Sequence, residues 1–530
     1  MGAPEATTAQ PAAAAGVGRR MAGPPGRRRR AGGRRPWWVW AVPFVLVLTV
    51  LAVRSRFLFS VRFYENSDAA ANSILIEQAK HFTLLVGNYS REGFNHPGPA
   101  YMYVQALGEW LFLDLLHLVP TAWNAHVLAV FALNSAFVAM IVGVVYGWTR
   151  SLRGAAACLA VVLGCIATEP WILSYDWMPW MYVAPYIVFL VAAGSVAVGG
   201  SRDIWILTLT GWFLIHGHAC FLFFVPVIVA AVLAAVTWRY GLRAALRHFA
   251  RPRIWVPAAA ISATFALPIV VNLALHWPGD FAKYFSYGSS KWAGQHGLLP
   301  DLHYVLWYWW RGGGGWAAWL VPAVSYLVAV AVVWRCRDPV RRFLVALLAI
   351  NVVSTLAFFC YTALGIDNLA QPYIGYFYFS APLITLLVIA VSLAEEVPLG
   401  ALVAPALAVL AVAAFAAAPG TAVNTIQTEA ALPHAVGVVA GRAHGQLIVI
   451  RFDHNAWPDI TGFLVQAERT GVRACVADPY WTFMMSSQFI CTPAQVAAGA
   501  LFWFYWPAAP HGATVIARGD NSEITAGAAP

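Results

Sequence analysis

Long apolar segments recur along this 530-residue chain and limit its fold more than any other feature. About 18 apolar residues suffice to cross a bilayer as a helix. Inside a membrane the backbone must pair its own polar groups, which favours helices for such segments. Eleven segments qualify, the third and fifth being short: 37–53, 124–147, 154–170, 180–198, 203–217, 219–238, 254–275, 316–334, 342–363, 376–394 and 399–418. We therefore expect an all-α polytopic membrane protein.

The composition agrees with a membrane location and argues against a nucleic-acid partner. Charged residues make up 11% of the chain, against about 25% in soluble domains. The 25 tryptophans and 20 tyrosines fit the aromatic belts of two membrane interfaces, although aromatic rings also stack on sugars. The net charge of +10 comes from arginines that lie beside apolar segments, so membrane topology explains it better than nucleic-acid binding.

The distribution of arginines predicts the orientation of the chain. Segment 1–36 is rich in Ala, Gly and Pro, contains four consecutive arginines, and is predicted to be a disordered cytoplasmic tail. Every second loop after it is basic, as the positive-inside rule requires. These basic loops are 148–153, 199–203, 239–253 and 335–342. Most acidic residues fall in the other loops, which are therefore predicted to lie outside. With the N-terminus inside, an odd number of spans also places the C-terminus outside the membrane.

The chain divides into a transmembrane module at 37–418, with a long outer loop at 54–123, and a polar C-terminal region at 419–530. In that region QLIVIRFDH reads as a strand, DITGFLVQAERTG as a helix and VRACVADP as a second strand. A strand, helix and strand make a βαβ unit, so we expect a small extracytoplasmic α/β domain. Cys475 and Cys491 lie in this domain and could form a disulfide if it faces an oxidising compartment.

The first outer loop begins with a predicted helix that carries a carboxylate at its start. Asn66 or Ser67 can cap a helix that starts near Asp68, where the helix dipole favours a negative charge. The apolar positions 71, 74, 75 and 79 share one face, which predicts an amphipathic helix lying on the membrane surface. Asp68 is therefore either a functional carboxylate or a residue that merely matches the dipole.

The second half of this loop, GNYSREGFNHPGPAYMY, combines polar side chains with rigid turn residues. Pro97 and Pro99 restrict the backbone and would hold Asn95 and His96 in one orientation. Arg91 offers a planar guanidinium that suits phosphate or carboxylate. A carboxylate, an imidazole and an arginine at a membrane surface indicate a site for a lipid-linked phosphate.

The run from Ser67 to Tyr103, SDAAANSILIEQAK followed by GNYSREGFNHPGPAYMY, resembles the GT-C superfamily of membrane glycosyltransferases. It is similar to uncharacterised bacterial GT-C-like membrane proteins and, more distantly, to protein O-mannosyltransferases and lipid A aminoarabinose transferases. The resemblance implies transfer of a sugar from a polyprenyl-phosphate donor to a glycan, lipid or protein acceptor. It also implies a location in the bacterial inner membrane, with the chemistry on its outer face. Ala69 departs from the mannosyltransferase pattern, which has two adjacent acids, so the use of a metal is left open.

The resemblance also implies roles for individual residues. Asp68 would be the general base of an inverting transfer, and Asp176 a second carboxylate. The charge that develops on the leaving phosphate would be stabilised by Arg91, by Lys283, Lys291 or Arg311, or by a divalent cation, Mg²⁺ or Mn²⁺. No metal ligands are assigned, because the cysteine spacing is unsuitable and histidines at positions i and i+2 do not share a helical face. The expected substrate contacts are Glu65, Tyr89, Arg91, Asn95, His96, His218 and Lys291.

Two other functions fit a polytopic membrane protein. A transporter or flippase of lipid or solute usually carries ionisable residues in mid-membrane and repeated halves with broken helices. The acids of this chain lie mainly in outer loops, and no inverted repeat is evident, which favours surface chemistry. A non-catalytic envelope scaffold built on the same fold is the third possibility.

Overall fold

The computed structural model describes residues 35–289, 296–311, 315–396, 402–418 and 431–527. Two of the sequence predictions lie outside these residues: the substrate contact Lys291 and nearly all of the predicted disordered tail. Arg35, at the end of that tail, is ordered, because its guanidinium binds both carboxylate oxygens of Asp203.

Helices form nearly the whole of the membrane module. In chain order they are α1 (Trp38–Arg54), α2 (Ser67–Lys80), α3 (Ala100–Gly108), α4 (Ala122–Thr149), α5 (Leu152–Thr168), α6 (Trp171–Ser174), α7 (Met178–Met181), α8 (Val183–Ala197), α9 (Ile204–Gly217), α10 (Phe221–Tyr240), α11 (Leu242–Phe249), α12 (Pro252–His276), α13 (Gly279–Ser289), α14 (Leu298–Trp307), α15 (Trp316–Val333), α16 (Val340–Gly365), α17 (Ser380–Glu396) and α18 (Val403–Ala417). A π-helical turn covers Glu109–Leu115, and a 3₁₀ segment, Pro372–Phe379, leads into α17.

Within the described residues, every predicted apolar segment is mainly helical, and the chain is a helical multi-pass membrane protein. Among the described residues, seven helical segments are long and apolar enough to span a bilayer. They are Ala122–Thr149, Met178–Ala197, Phe221–Tyr240, Pro252–His276, Trp316–Val333, Val340–Gly365 and Pro372–Glu396. Helices α1, α5, α9 and α18 are shorter, so a total of eleven spans remains a prediction.

The core of the module is built around α8, in which every residue is buried. Polar residues at the helix ends determine where α4 ends and α5 begins. Helix α4 ends at Thr149 because Arg150 adopts a left-handed backbone conformation, with φ of 53°. Helix α5 then starts directly, since the Ser151 side chain accepts the hydrogen bond of the Gly154 amide at 3.3 Å. By contrast, no residue of α12 is buried, and this helix faces the surroundings of the protein.

The C-terminal region folds as the predicted α/β domain. Its helices are α19 (Ala431–Ala443), α20 (Trp457–Arg469), α21 (Thr482–Met485) and α22 (Pro493–Ala498). After the short hairpin strands β1 (Tyr89–Ser90) and β2 (Phe94–Asn95) of the first outer loop, the domain adds β3 (Ile448–Phe452), β4 (Ala474–Val476), β5 (Ala500–Tyr505), β6 (Val515–Arg518) and β7 (Glu523–Ala526). The sheet order is β4-β3-β5-β7-β6, and β4, β3 and β5 run parallel. Cys475 and Cys491 are joined by a disulfide.

Helix α2 is buried on two sides, so the prediction of an amphipathic helix with a single buried face is wrong. Leu75, Ile76 and Ala79 join the core of the membrane module. The small residues Ala70 and Ala71 instead join the core of the C-terminal domain. They allow α20 to approach so closely that a Cβ on Gly462 would lie 2.9 Å from the Glu65 carbonyl oxygen. The helix is therefore an internal connection between the two parts of the protein.

Gly98, in the HPGP sequence, allows the outer loop to pack directly against α9. A Cβ at this position would lie 2.4 Å from Nδ1 of His216, a distance that side chains do not tolerate. The His216 imidazole is fixed in place, because its Nδ1 lies 3.3 Å from the Ala100 amide and its Nε2 lies 2.9 Å from the Phe265 carbonyl oxygen. His216 thus anchors the turn that carries His96.

Candidate functional site

Asp68 lies where two cavities meet. The first cavity has a volume of about 280 Å³ and the second about 420 Å³. Asp68, Asn72 and Trp177 line both of them. Because Asn72 follows Asp68 by one helical turn, the two side chains share a face of α2. A single carboxylate can therefore contact a molecule in either cavity.

The Asp68 carboxylate is held on both oxygens. The Tyr89 hydroxyl donates a hydrogen bond to Oδ1, and the Trp177 indole nitrogen donates to Oδ2 at 2.8 Å. Burial, followed by the charge of Asp68, raises the pKa of Tyr89 above its usual range, so this hydroxyl stays protonated. Each carboxylate oxygen has two acceptor positions, which leaves one on each for another proton donor. The arrangement fixes Asp68 in the way that a general base requires.

The backbone that presents Asp68 is in an unusual conformation. Ser67 has a φ of 54°, in the left-handed region that non-glycine residues seldom adopt. The Thr461 hydroxyl lies 3.2 Å from the Ser67 carbonyl oxygen and 2.9 Å from the Pro458 carbonyl oxygen, so these two acceptors share its one proton. Asn66 donates its side-chain amide to Asp520 at 3.0 Å and does not cap α2. The C-terminal domain thus stabilises the turn immediately before the carboxylate. Backbone strain of the kind seen at Ser67 is often found at functional sites.

Two stacked histidines form part of the first cavity. The ring centroids of His96 and His218 lie 4.2 Å apart, and both residues line the cavity. Nδ1 of His96 accepts the Ala219 amide at 3.2 Å, and Nδ1 of His218 accepts the Cys220 amide at 3.1 Å. Burial lowers the pKa of His218 to about 4, and burial together with His218 lowers the pKa of His96 well below its usual value. Both rings are therefore neutral at pH 7 and keep their proton on Nε2, as hydrogen-bond donors.

Arg91 lines the first cavity but is already engaged with acidic and polar partners. Its guanidinium pairs with Asp367 and donates to the Gln371 side-chain oxygen at 2.7 Å. Among the described lining residues, the carboxylates of Asp68, Glu92 and Asp367 outnumber this one arginine. A bound phosphate must therefore compete with Asp367 for Arg91 or bring its own counter-ion.

A ready-made metal centre is not evident in the part of the chain that the structure describes. No three His, Cys, Asp or Glu side chains there converge closely enough to hold an ion. The two partners of Asp68 are hydrogen-bond donors, not further acidic ligands. The divalent cation therefore stays a prediction.

Helix α13 covers the β1–β2 hairpin. Lys283 of α13 donates to the Gly93 carbonyl oxygen at 2.8 Å, and the Tyr284 hydroxyl donates to the carbonyl oxygen of Asn95. Tyr287, on the same helix, lines the first cavity. Helix α13 is thus positioned as a cover over the hairpin side of that cavity.

The second cavity is mainly aromatic and also contains a buried acid. Trp171, Tyr175, Trp177 and Trp180 line it together with Asp176. Asp176 is 5% exposed and accepts a hydrogen bond from the Trp123 indole nitrogen at 2.8 Å. Burial raises the pKa of this carboxyl to about 6, despite the opposing effects of His126 and the hydrogen bond. Flat rings beside carboxylate acceptors suit a ligand that has both apolar faces and hydroxyl groups.

The structure brings most of the predicted site residues together. Asp68, Tyr89, Arg91, His96 and His218 line the first cavity, and Asp176 lines the second. Lys291 lies outside the described residues.

Two predicted substrate contacts line neither cavity. Glu65 is fully buried beneath α20 and lies 2.6 Å from Arg469, so it connects the two parts of the protein. Asn95 donates its side-chain amide to the Gly87 carbonyl oxygen at 3.2 Å and stabilises the hairpin. Arg311, the other arginine considered for the phosphate, instead pairs with Glu169 and lies over the rings of Trp307 and Phe379.

Sequence reasoning missed several residues of the site. Asn72 could have been found from its spacing of four residues from Asp68. Trp177 adjoins Asp176 in the sequence. Its hydrogen-bond partner Asp68 is 109 positions away, so no local sequence pattern indicates this contact. Tyr361 and Tyr373 reach the first cavity from α16 and from the 3₁₀ segment, where they resemble ordinary interface aromatics.

Comparisons with known proteins do not add a family. The chain matches no protein-family model, and no curated protein is similar enough to count as a relative.

Proposed function

We propose that this protein is an integral-membrane glycosyltransferase. It moves a sugar from a polyprenyl-phosphate donor to a glycan, lipid or protein acceptor on the outer face of a bacterial inner membrane. The observation that carries the proposal is the position of Asp68 between two cavities of different chemistry. A group-transfer enzyme needs two adjoining binding sites and a base that reaches both, whereas a scaffold needs neither.

Of the two cavities, the first contains the donors that a phosphate needs, and a bound phosphate would compete with Asp367 for Arg91 or bring its own counter-ion. His96 and His218 supply neutral N–H donors, and Arg91 supplies a guanidinium that matches phosphate geometry. Tyr361 and Gly365 extend the lining to the end of the spanning helix α16, where a polyprenyl chain would leave for the bilayer. The carrier can therefore keep its chain in lipid while its phosphate is bound by protein.

The second cavity suits the acceptor. Its described lining contains the acids Asp68 and Asp176 and no basic residue, which disfavours a phosphate. Its four aromatic rings and the adjoining carboxylates fit a hydroxyl-bearing molecule. An acceptor hydroxyl in this cavity would approach Asp68 from the side opposite to the donor.

In the transfer step, the acceptor oxygen attacks the anomeric carbon of the donor and forms the new glycosidic bond. The bond between that carbon and the phosphate oxygen breaks, and the electron pair leaves with the polyprenyl phosphate. Asp68 takes the proton of the acceptor hydroxyl, while Tyr89 and Trp177 keep the carboxylate aimed at it. Arg91 and the two histidines donate hydrogen bonds to the leaving phosphate. One displacement of this kind inverts the anomeric centre.

The disulfide supports an outer location for this chemistry. Disulfides persist in oxidising compartments and are rare in the cytosol. Cys475 and Cys491 are bonded in the C-terminal domain, and this domain packs directly on α2, which carries Asp68. The site and the disulfide are therefore on the same side of the membrane.

The test is transfer from a radiolabelled polyprenyl-phosphate sugar by the purified full-length protein in nanodiscs, with envelope extract as acceptor. We expect Asp68→Asn to reduce transfer by about 10²- to 10⁴-fold, the usual contribution of a general base. Asp114→Asn is the matched control, because Asp114 is an exposed carboxylate of the same outer loop and lines neither cavity. Full transfer by a folded Asp68→Asn protein would remove the base assignment.

The same preparation separates the competing functions. A transporter or flippase would move lipid or solute across proteoliposomes without forming a glycosidic bond. A non-catalytic scaffold would do neither. Transport would replace the proposal if two results were obtained together. The protein would transfer no sugar from any polyprenyl-phosphate donor supplied, and lipid or solute flux across the proteoliposomes would depend on the protein.

A further inference from the structure

A second pair of cavities begins at the opposite end of the membrane module from Asp68. Helix α9 begins at Ile204, beside this second pair, and ends at Gly217, next to His218 of the candidate site. The basic cavity of the pair lies at the start of α9, so the 14 residues of this helix separate it from His218 by about 21 Å along the helix axis. The apolar cavity runs along α9 from Ile204 as far as Ile215. The basic cavity therefore belongs to the other membrane face, which the arginine distribution predicts to be cytoplasmic.

One cavity of this pair is basic. Its volume is about 550 Å³, and Arg202, Arg251, Arg253 and Trp205 line it. Its described lining contains no acidic residue. The nearest acid along the chain, Asp203, is 1% exposed and bound to Arg35, so it does not neutralise the cavity. The guanidinium groups of Arg251 and Arg253, on the two sides of Pro252, create a favourable place for an anion.

The other cavity is apolar and adjoins the first. Its volume is about 440 Å³, and Ile254 lines both cavities. Consecutive residues of α9 and α12 continue from one lining to the other, as Trp205 follows Ile204 and Ala258 follows Pro257. Helix α12, which forms one wall, is apolar and has no buried residue. The apolar cavity is thus open to hydrocarbon chains at a membrane boundary.

We propose that these adjoining cavities bind one anionic phospholipid, such as phosphatidylglycerol, on the face opposite to Asp68. The phosphate is bound by Arg251 and Arg253, and an acyl chain fills the apolar cavity between α9, α10 and α12. Basic pockets between membrane helices are a general means of recognising anionic headgroups. Charge complementarity selects an anionic lipid over a zwitterionic one, and the apolar cavity selects a lipid over a soluble phosphate.

The inference does not depend on glycosyl transfer, so its test uses binding alone. The purified full-length protein in detergent is titrated with dioleoyl-phosphatidylglycerol or dioleoyl-phosphatidylcholine, and bound lipid is counted by native mass spectrometry. We expect selective retention of phosphatidylglycerol. Arg251→Ala with Arg253→Ala should weaken it roughly 30-fold, the effect of two basic side chains near a charged headgroup.

A matched control separates this site from general surface charge. Arg335→Ala with Arg337→Ala removes two exposed arginines from another basic loop and should leave lipid binding unchanged. Ala258→Phe should weaken phosphatidylglycerol binding without changing the net charge, because the added ring fills the apolar cavity.

Three results would overturn the proposal. One is binding of phosphatidylcholine by the unaltered protein as strongly as phosphatidylglycerol. This comparison needs no variant, so it is valid even if a variant misfolds. Another is an equal loss in the Arg335 and Arg337 control, which would show unspecific attraction. The third is binding of glycerol phosphate alone as tightly as the whole lipid, which would show a soluble-anion site.

Discussion

Arg469 of helix α20 lies 2.6 Å from a carboxylate oxygen of Glu65, a residue that is entirely buried. The same guanidinium lies 3.0 Å from Glu77, in the last turn of α2. Burial alone would lower the pKa of Arg469, but Glu65 and Glu77 raise it above its usual range, so the arginine is charged. The C-terminal domain therefore holds the segment that presents Asp68 through a buried charge pair.

We expect Arg469→Ala to destabilise the protein by about 3–5 kcal/mol, because it leaves the Glu65 charge buried without its partner. Thermal unfolding of the purified protein in detergent measures the effect. Arg473→Ala is the control, since Arg473 is exposed and donates one hydrogen bond of 3.4 Å to Gly445. Adding Glu65→Gln to Arg469→Ala should recover part of the loss, and no recovery would mean that packing of the arginine stem explains the effect.

Gly98→Ala should destabilise the first outer loop by about 1–3 kcal/mol, the usual cost of forcing extra atoms into a packed site. The new Cβ would meet the His216 ring at 2.4 Å, and that ring is held by Ala100 and Phe265. Unfolding temperature and protease cleavage within residues 87–103 measure the change. Gly437→Ala is matched to it, because a Cβ there has no neighbour within 4 Å among the described residues. Equal unfolding temperatures and equal protease cleavage in the two variants would contradict the close contact between Gly98 and the His216 ring.

The raised pKa of Asp176 predicts a pH-dependent difference in stability. Its pKa is about 6 in the folded protein against 3.8 in the unfolded chain, so the folded state holds more protons between these values. Stability then falls as pH rises through that window and stays lower above it. Asp176→Asn removes the buried charge while keeping an acceptor for Trp123, so it should raise the unfolding temperature at pH 7.5.

The comparison that isolates Asp176 is the variant minus the unaltered protein at each pH. At pH 4 the carboxyl is already protonated, and the two proteins should unfold at nearly the same temperature. The buried His218 acts in the opposite direction, because its pKa is lowered to about 4, but it is present in both proteins and cancels. A difference that does not change between pH 4 and pH 7.5 would show that burial of a charge is not the cause.

Loss of the disulfide should destabilise the C-terminal domain. Cys475 and Cys491 are 16 residues apart, and closing a loop of this length contributes about 3 kcal/mol in the chain-entropy account. Cys475→Ser with Cys491→Ser should therefore lower the unfolding temperature, and reductant should do the same to the unaltered protein. Cys360→Ser removes an exposed free thiol and should have little effect. Insensitivity of the unaltered protein to reductant would exclude a stabilising bond.

Local patterns predicted most of the architecture. The apolar segments became helices because the backbone in a bilayer has no other partners for its polar groups. Segment 446–479 became a strand, a helix and a parallel strand because its hydrophobic period changes along the chain. The same reasoning predicted only one buried face for α2. The structure buries two faces, because the C-terminal domain packs on the small residues of the second face.

The site was predictable where its residues are neighbours in sequence and hidden where they are not. Asp68, Tyr89, Arg91 and His96 lie within one outer loop, so their polar character among apolar segments marked them. Glu65 looked the same in the sequence, yet Arg469, more than 400 positions away in the chain, gives it a different role. Trp177 became a partner of Asp68 only because α6 and α7 bring a third segment to the start of α2.

The sequence by itself determined that this chain is a helical membrane protein with a polar first loop and an α/β domain, because hydrophobic period, charge and turn residues act over short distances. Only the tertiary structure decided that α2 lies between two cores, that Asp68 adjoins two cavities, and which acids are paired by arginine. These features depend on contacts between segments far apart in the chain, and such contacts leave no local pattern.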